Sequence, residues 1–109
     1  MSFDDLNQHN TYNIIHLLSI RAAENIMPEF LGNAIIKFYP EKSSDIERCK
    51  QFIDHLKKED RLLISDGYVY PVWEGGNSLE LKKAYAKMFC KLCNSIGVAT
   101  TFEITPFRI

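Results

Sequence analysis

No stretch of this chain reaches the roughly 18 uninterrupted apolar residues that would cross a bilayer as a helix, and no membrane association is expected. Cysteine is scarce: Cys49, Cys90 and Cys93 are an odd number, which argues against a disulfide framework and suits reduced thiols. No second Cys or His pair stands at ligand spacing from Cys90 and Cys93, so neither zinc nor an iron–sulfur cluster is expected. Charge of one sign is also missing: the net charge of −1 provides no global attraction to nucleic acid or anionic lipid. There is no HExxH, GxSxG or dinucleotide fingerprint, and Gly75-Gly76 lacks the Lys-Ser/Thr of a phosphate loop. These absences leave no catalytic residue, cofactor or metal to name. Met1-Ser-Phe-Asp-Asp5 is acidic and lacks the basic and apolar segments of a signal peptide, so the expectation is cytoplasmic.

What is present reads as one ordinary folded domain over residues 1–109, 46% hydrophobic and 25% charged, large enough for a single core. Its key stretch is Arg61-Leu-Leu-Ile-Ser-Asp-Gly-Tyr-Val-Tyr-Pro-Val-Trp73. Asp66-Gly67 readily takes the two positive φ angles of a type I′ turn, so a two-residue hairpin is predicted, pairing Ser65 with Tyr68, Ile64 with Val69 and Leu63 with Tyr70. That register puts Leu62, Ile64, Val69, Pro71 and Trp73 on one face, and Leu63, Ser65, Tyr68, Tyr70 and Val72 on the other.

The other elements follow from period and punctuation. Ser2 and Asp5 have capping-box spacing, and a helix is predicted over 12–26 with its apolar stripe on Ile14, Leu18, Ala22 and Ile26. Pro28 stops it, and one further turn is expected over 28–32. Ala34 to Tyr39 is a strand, and Ser44-Asp-Ile-Glu47 opens a helix over 45–58 with Cys49, Phe52, Ile53 and Leu56 inward. Asn77 and Glu80 start a helix over 79–95 that buries Leu81, Ala84, Tyr85, Met88, Phe89 and Leu92 and ends at Gly97. Val98 to Ile104 alternates as a last strand.

From residue 33 on, the order is β-α-β-β-α-β, which predicts an α+β, ferredoxin-like core (33–109) behind an N-terminal helical extension (1–32). A winged helix is the rival, but only one helix separates strand 34–39 from the hairpin, where a helix-turn-helix needs two. Pro71 is awkward in a central strand and must sit at a bulge or a strand end. Trp73, Ile64, Phe52, Ile53, Met88, Phe89 and Phe102 are the expected deep core.

Gly67, Tyr68, Tyr70 and Trp73 on the third strand resemble the octapeptide with which RNA recognition motifs stack bases, although Asp66 replaces its basic residue and Pro71 its aliphatic one. The resemblance implies a stacking platform of Tyr68 and Tyr70, with Tyr39 on the same open face. Lys83, Lys87 and Lys91 form an i, i+4 row able to track phosphates, although a solvated helix face looks the same. His9, His16 and His55 share no motif with a cysteine or carboxylate.

With no catalytic constellation, the expectation is a small non-enzymatic protein-binding protein of inhibitor, immunity or adaptor type, acting on a protein partner or as a homodimer. Tyr39, Tyr68, Tyr70, Lys83, Lys87 and Lys91 are the candidate binding residues. The alternative is a nucleic-acid-binding domain, RNA-recognition-like or winged-helix-like.

Overall fold

A strand needs both of its edges paired to sit at the centre of a sheet, and β1 (Gly32–Phe38) meets that condition. It pairs antiparallel with β3 (Tyr68–Pro71) on one side and with β4 (Thr100–Pro106) on the other. β2 (Leu63–Ile64) adds to the free side of β3, so the sheet order is β2-β3-β1-β4, antiparallel throughout. The computed structural model describes residues 3–74 and 76–107, and side chains from residue 9 onward. Three helices accompany the sheet, α1 (Phe3–Ala23), α2 (Ile46–Lys58) and α3 (Leu79–Ser95), which makes an α+β architecture. A single 3₁₀ turn at Pro40–Lys42 links β1 to α2.

The element order and most boundaries match the sequence expectations. Asp45 caps α2 by accepting a hydrogen bond from the Arg48 amide at 3.0 Å. Ser78, one residue past the expected Asn77, caps α3 through the Leu81 amide. Glu80 is thereby released for another task. Its carboxylate accepts from the Glu29 and Phe30 amides, at 3.2 and 2.9 Å, where a further helical turn over 28–32 was expected and none forms. Gly32 follows directly, and a Cβ there would lie 2.6 Å from Leu79 Cδ1 and 2.8 Å from the Thr105 carbonyl, so only glycine lets β1 start so close to α3 and β4. α1 runs as one helix from Phe3, while the proposed capping contact between Ser2 and the Asp5 side chain lies outside the described residues and side chains.

The hairpin departs from its expected register by one residue. Ile64 pairs with Tyr68 and Leu63 with Val69, so the loop is three residues, Ser65 to Gly67, with Asp66 at φ +52° and Gly67 at φ +118°. A slip of one in a period of two moves every side chain to the other face. Leu62 therefore joins Tyr70 and Val72 on the face that the helices cover, and all three are buried. Leu63, Val69 and Pro71 go to the open face with Ile35 and Lys37. Two expected core residues are corrected, because the helices cover the Tyr70 side of β3 rather than the Trp73 side: Trp73 is 71% exposed whereas Tyr70 is 0% exposed, and Ile64, on the edge strand, is exposed as well. Phe52, Ile53 and Phe89 are buried as expected, with Phe102 packed at the core's margin.

Pro71 closes β3. Val72 donates its amide to the Ala34 carbonyl on β1 at 3.0 Å, so the Pro71 nitrogen, one residue back, faces the β2 side. β2 has already ended there, and the missing N–H breaks no ladder.

All three helices lie on one sheet face. Ala34, Ile36, Phe38, Tyr70 and Val72 from the sheet meet Cys49, Phe52, Ile53 and Leu56 of α2 and Tyr85, Ala86, Phe89 and Cys93 of α3. α1 adds Tyr12 and Ile15 to the same core and leaves the opposite sheet face uncovered. The buried positions of α1 are Tyr12, Ile15 and Ser19, not the expected stripe of Ile14, Leu18, Ala22 and Ile26.

The two hairpin faces separate cleanly in a stability measurement. Tyr70→Ala is expected to cost about 3–5 kcal/mol in urea unfolding, while Trp73→Ala stays within about 0.5 kcal/mol of wild type. The reverse ranking would place the Trp73 side of the strand, rather than the Tyr70 side, under the helices.

Candidate functional site

The sequence-derived candidates do not converge on one place. Tyr70, proposed as half of a stacking platform, lies in the core, with Phe89 stacked at 5.1 Å between ring centroids. Tyr68 is half-buried at the sheet margin with the Lys57 ammonium 5.2 Å over its ring. Tyr39 and Tyr68 do share an open cleft of about 470 Å³ with Lys37, Glu41 and Asp66. Lys83, Lys87 and Lys91 are exposed along α3, while Lys82, on the same helix, is buried with its Nζ 2.8 Å from Asn33 Oδ1.

What surrounds Tyr70 instead is a buried polar chain that sequence reading missed. Its hydroxyl lies 2.9 Å from that of Tyr12 on α1 and 2.9 Å from that of Tyr85 on α3. Tyr85 continues to His16 Nδ1 at 2.7 Å, one helical turn beyond Tyr12. Glu74 Oε1 stands 3.7 Å from the same nitrogen and accepts from Arg61 Nη2 at 2.6 Å. The Arg61 guanidinium in turn covers the rings of Tyr70 and Tyr12, at 5.4 and 5.9 Å. Three hydroxyls, each both donor and acceptor, can satisfy one another in a single direction: with His16 neutral and Nδ1 accepting, Tyr85 donates to it, Tyr70 to Tyr85, and Tyr12 to Tyr70.

Burial raises the tyrosine pKa values and stands as the first cause for Tyr70, Tyr85 and Tyr12 alike, so these groups remain phenols. Burial also lowers His16 below its usual 6.5, against an opposing pull from Glu74. The exposed end of the network, at Glu74 and Tyr85, borders an open, largely apolar cleft of about 230 Å³ lined by Ile20, Ala23 and Leu81. That is smaller than the roughly 300–1,000 Å³ typical of ligand sites. The three cysteines are buried and free, and burial pushes the Cys90 thiol up to about 11, the opposite of a reactive thiolate.

An exposed apolar surface lies on the other side of α1. Ile14 and Leu17 are 60% and 62% exposed, and Leu18 is exposed beside them. Neighbouring positions are Asn10, Asn13 and Asn25, and residues 6–20 contain no Asp, Glu, Lys or Arg in a chain that is 25% charged. A helix with only one buried face normally carries charge on the other. The segment after α1 extends the apolar exposure through Met27, Phe30 and Leu31. Reading for a single stripe concealed this, because α1 is apolar on two sides. The uncharged run over 6–20 was the available signal.

The histidines also proved less isolated than their sequence positions implied. His9 on α1 meets His55 on α2, with ring centroids 5.3 Å apart, and Glu59 stands one turn beyond His55. The i, i+4 pair His55 and Glu59 was visible in the sequence, but its partner across the fold was not.

His16 gives this site a pH signature. A histidine whose folded pKa is lowered binds its proton more weakly folded than unfolded, so stability is lost as pH falls through the unfolded value of about 6.5 and levels off below the folded one. His16→Gln is expected to reduce the fall in unfolding free energy between pH 7.5 and 5.5, measured by urea titration, and an unchanged slope would remove His16 from that role. Compared with protein-family models, curated proteins and solved structures, the chain shows no match.

Proposed function

We propose that this chain is a small cytoplasmic, non-enzymatic protein-binding protein of inhibitor, immunity or adaptor type, which presents the outer face of α1 to a protein partner or to a second copy of itself. The observation that carries the reading is the exposure of Ile14, Leu17 and Leu18 within an uncharged helical segment rimmed by asparagines. Depletion of charge at the centre with amides around it is the composition of interface cores. An apolar patch on a small soluble chain costs solubility unless something covers it. The shallow cleft beside Glu74 and the buried thiols support a role without catalysis.

For the fold we favour the ferredoxin-like arrangement. Its support is the β-α-β-β-α-β order from Gly32 onward and the central place of β1 and β3 in the four-stranded sheet. In this reading α1 is an extension laid against the two core helices, which leaves the open sheet face as a second, more polar surface bearing the Lys37–Glu103 ion pair at 3.2 Å.

The nucleic-acid alternative keeps Tyr39, Tyr68 and the lysine row but loses Tyr70, which is sequestered in the core. One experiment separates the two. Affinity capture of the full chain from native lysate, with and without nuclease, is compared for wild type, Leu17→Glu and Lys87→Glu. The protein-binding reading expects a partner, or untagged copies of the chain, retained after nuclease, lost with Leu17→Glu and kept with Lys87→Glu. Capture that vanishes on nuclease treatment and with Lys87→Glu, but survives Leu17→Glu, would favour nucleic acid. An unchanged melting temperature for Leu17→Glu is expected as well, because its site is already in water.

A further inference from the structure

We propose that His9, His55 and Glu59 form a binding site for a divalent transition-metal ion of the zinc class. Their ligand atoms, one from each side chain, all lie within 4.8 Å of one another. Two imidazoles and one carboxylate are a donor set suited to a borderline ion such as Zn(II), and three protein ligands leave a coordination position for water or an incoming group. Ligand atoms around tetrahedral zinc stand about 3.3 Å apart for Zn–N bonds of about 2.0–2.1 Å, so closure requires the three atoms to draw in by at most ~1.5 Å. Glu59 can supply that movement, since its exposed side chain turns without disturbing the core.

The placement is built from two rigid elements. His55 and Glu59 are four apart, so they project from the same side at the C-terminal end of α2, where Glu59 is the capping residue. His9 comes from α1, on the face that also carries Tyr12 and His16, and its ring meets that of His55 edge-on. Tyr12 and Phe52 pack beneath: the Tyr12 ring lies 5.7 Å from that of His55, which is 7% exposed and held in one place by the core.

Electrostatics favour a cation at this point. The last turn of a helix presents the negative end of its dipole, and the Glu59 carboxylate adds a like charge at the place where it is least comfortable. Lys57, in the same last turn, directs its ammonium over the Tyr68 ring. A bound ion would neutralise the carboxylate and the helix end together, and would tie the N-terminal half of α1 to α2. The site adjoins the tyrosine network through Tyr12 but uses none of the outer-face residues of α1, so it stands or falls independently of the protein-binding reading.

The test uses the full chain without a histidine tag, titrated with Zn(II) by calorimetry and with Co(II) by absorption. One ion per chain, a melting temperature raised by several degrees, and Co(II) ligand-field bands without thiolate charge transfer are the expected results. Because His55 is buried, the variants are His9→Gln and Glu59→Gln, with Asp54→Asn on α2 as the control. Each of the first two is expected to weaken binding at least about tenfold while leaving the metal-free melting temperature within a degree or so, and the control to bind as wild type. Undiminished binding in either variant, a thiolate band assigning the ion to a cysteine, or no saturable binding up to about 100 μM would overturn the site.

Discussion

The hydroxyl of Tyr70 is the constraint on which the rest of this molecule depends. It stands at the centre of the sheet's covered face, 0% exposed, and a buried phenol without partners costs roughly 1–3 kcal/mol. Its two partners come from different helices, Tyr12 on α1 and Tyr85 on α3, each at 2.9 Å. Neither helix can shift without stranding a buried hydroxyl. The N-terminal helix is therefore held by directional bonds as well as by the apolar contacts of Tyr12 and Ile15 with Phe52 and Phe89. Arg61 and Glu74 close the chain at the surface, where a 2.6 Å ion pair about a quarter exposed fixes the guanidinium over the two rings.

That constraint also fixes what the outside of the protein looks like. Once Tyr12, Ile15 and Ser19 face inward, Ile14, Leu17 and Leu18 must face outward, because at about 100° per residue they stand roughly 90–170° round the helix from that face. The groups that chemistry would normally use, a histidine, a glutamate, an arginine and three phenols, are spent on holding the fold. The cysteines are spent on filling it. The surface in turn carries a neutral, apolar stripe on a helix that cannot rotate to hide it.

The sequence revealed the elements far better than their faces. The capping box at Ser44 located the start of α2 to within one residue, since Asp45 is the cap, whereas Pro28 is not the stop, since α1 ends at Ala23. Gly97 works as read: its φ is +87°, and a Cβ there would lie 2.9 Å from Asp45 Cβ. Faces depend on counts of one residue. Asp66-Gly67 suits a two-residue turn, yet including Ser65 in the loop changes the parity of everything before it; separately, the helices cover the Tyr70 side of β3, and Trp73, the one tryptophan, is left in water. For α1 the difficulty was degeneracy. With Ile14, Ile15, Leu17, Leu18 and Ile20 crowded together, a row of aliphatics could be drawn on almost any side, and the row that won is led by Tyr12 and includes Ser19. Only the requirement that Tyr70 find hydrogen-bond partners selects it, and that requirement arises in three dimensions. The candidate surface was therefore legible as an uncharged run, but its orientation was not.

Native-state hydrogen exchange, followed by NMR on the intact chain, tests most directly whether α1 is locked into the core. If the Tyr12–Tyr70–Tyr85 chain binds the helix to the sheet, the amides of residues 15–20 exchange only through global unfolding, with the same free energy and denaturant dependence as those of β1 and α3. Exchange of the α1 amides through a separate opening, several kcal/mol below the global value and insensitive to denaturant, would mean that the helix comes away while the rest stays folded. The inward set of Tyr12, Ile15 and Ser19, and with it the outward stripe on which the functional reading rests, would then have to be given up.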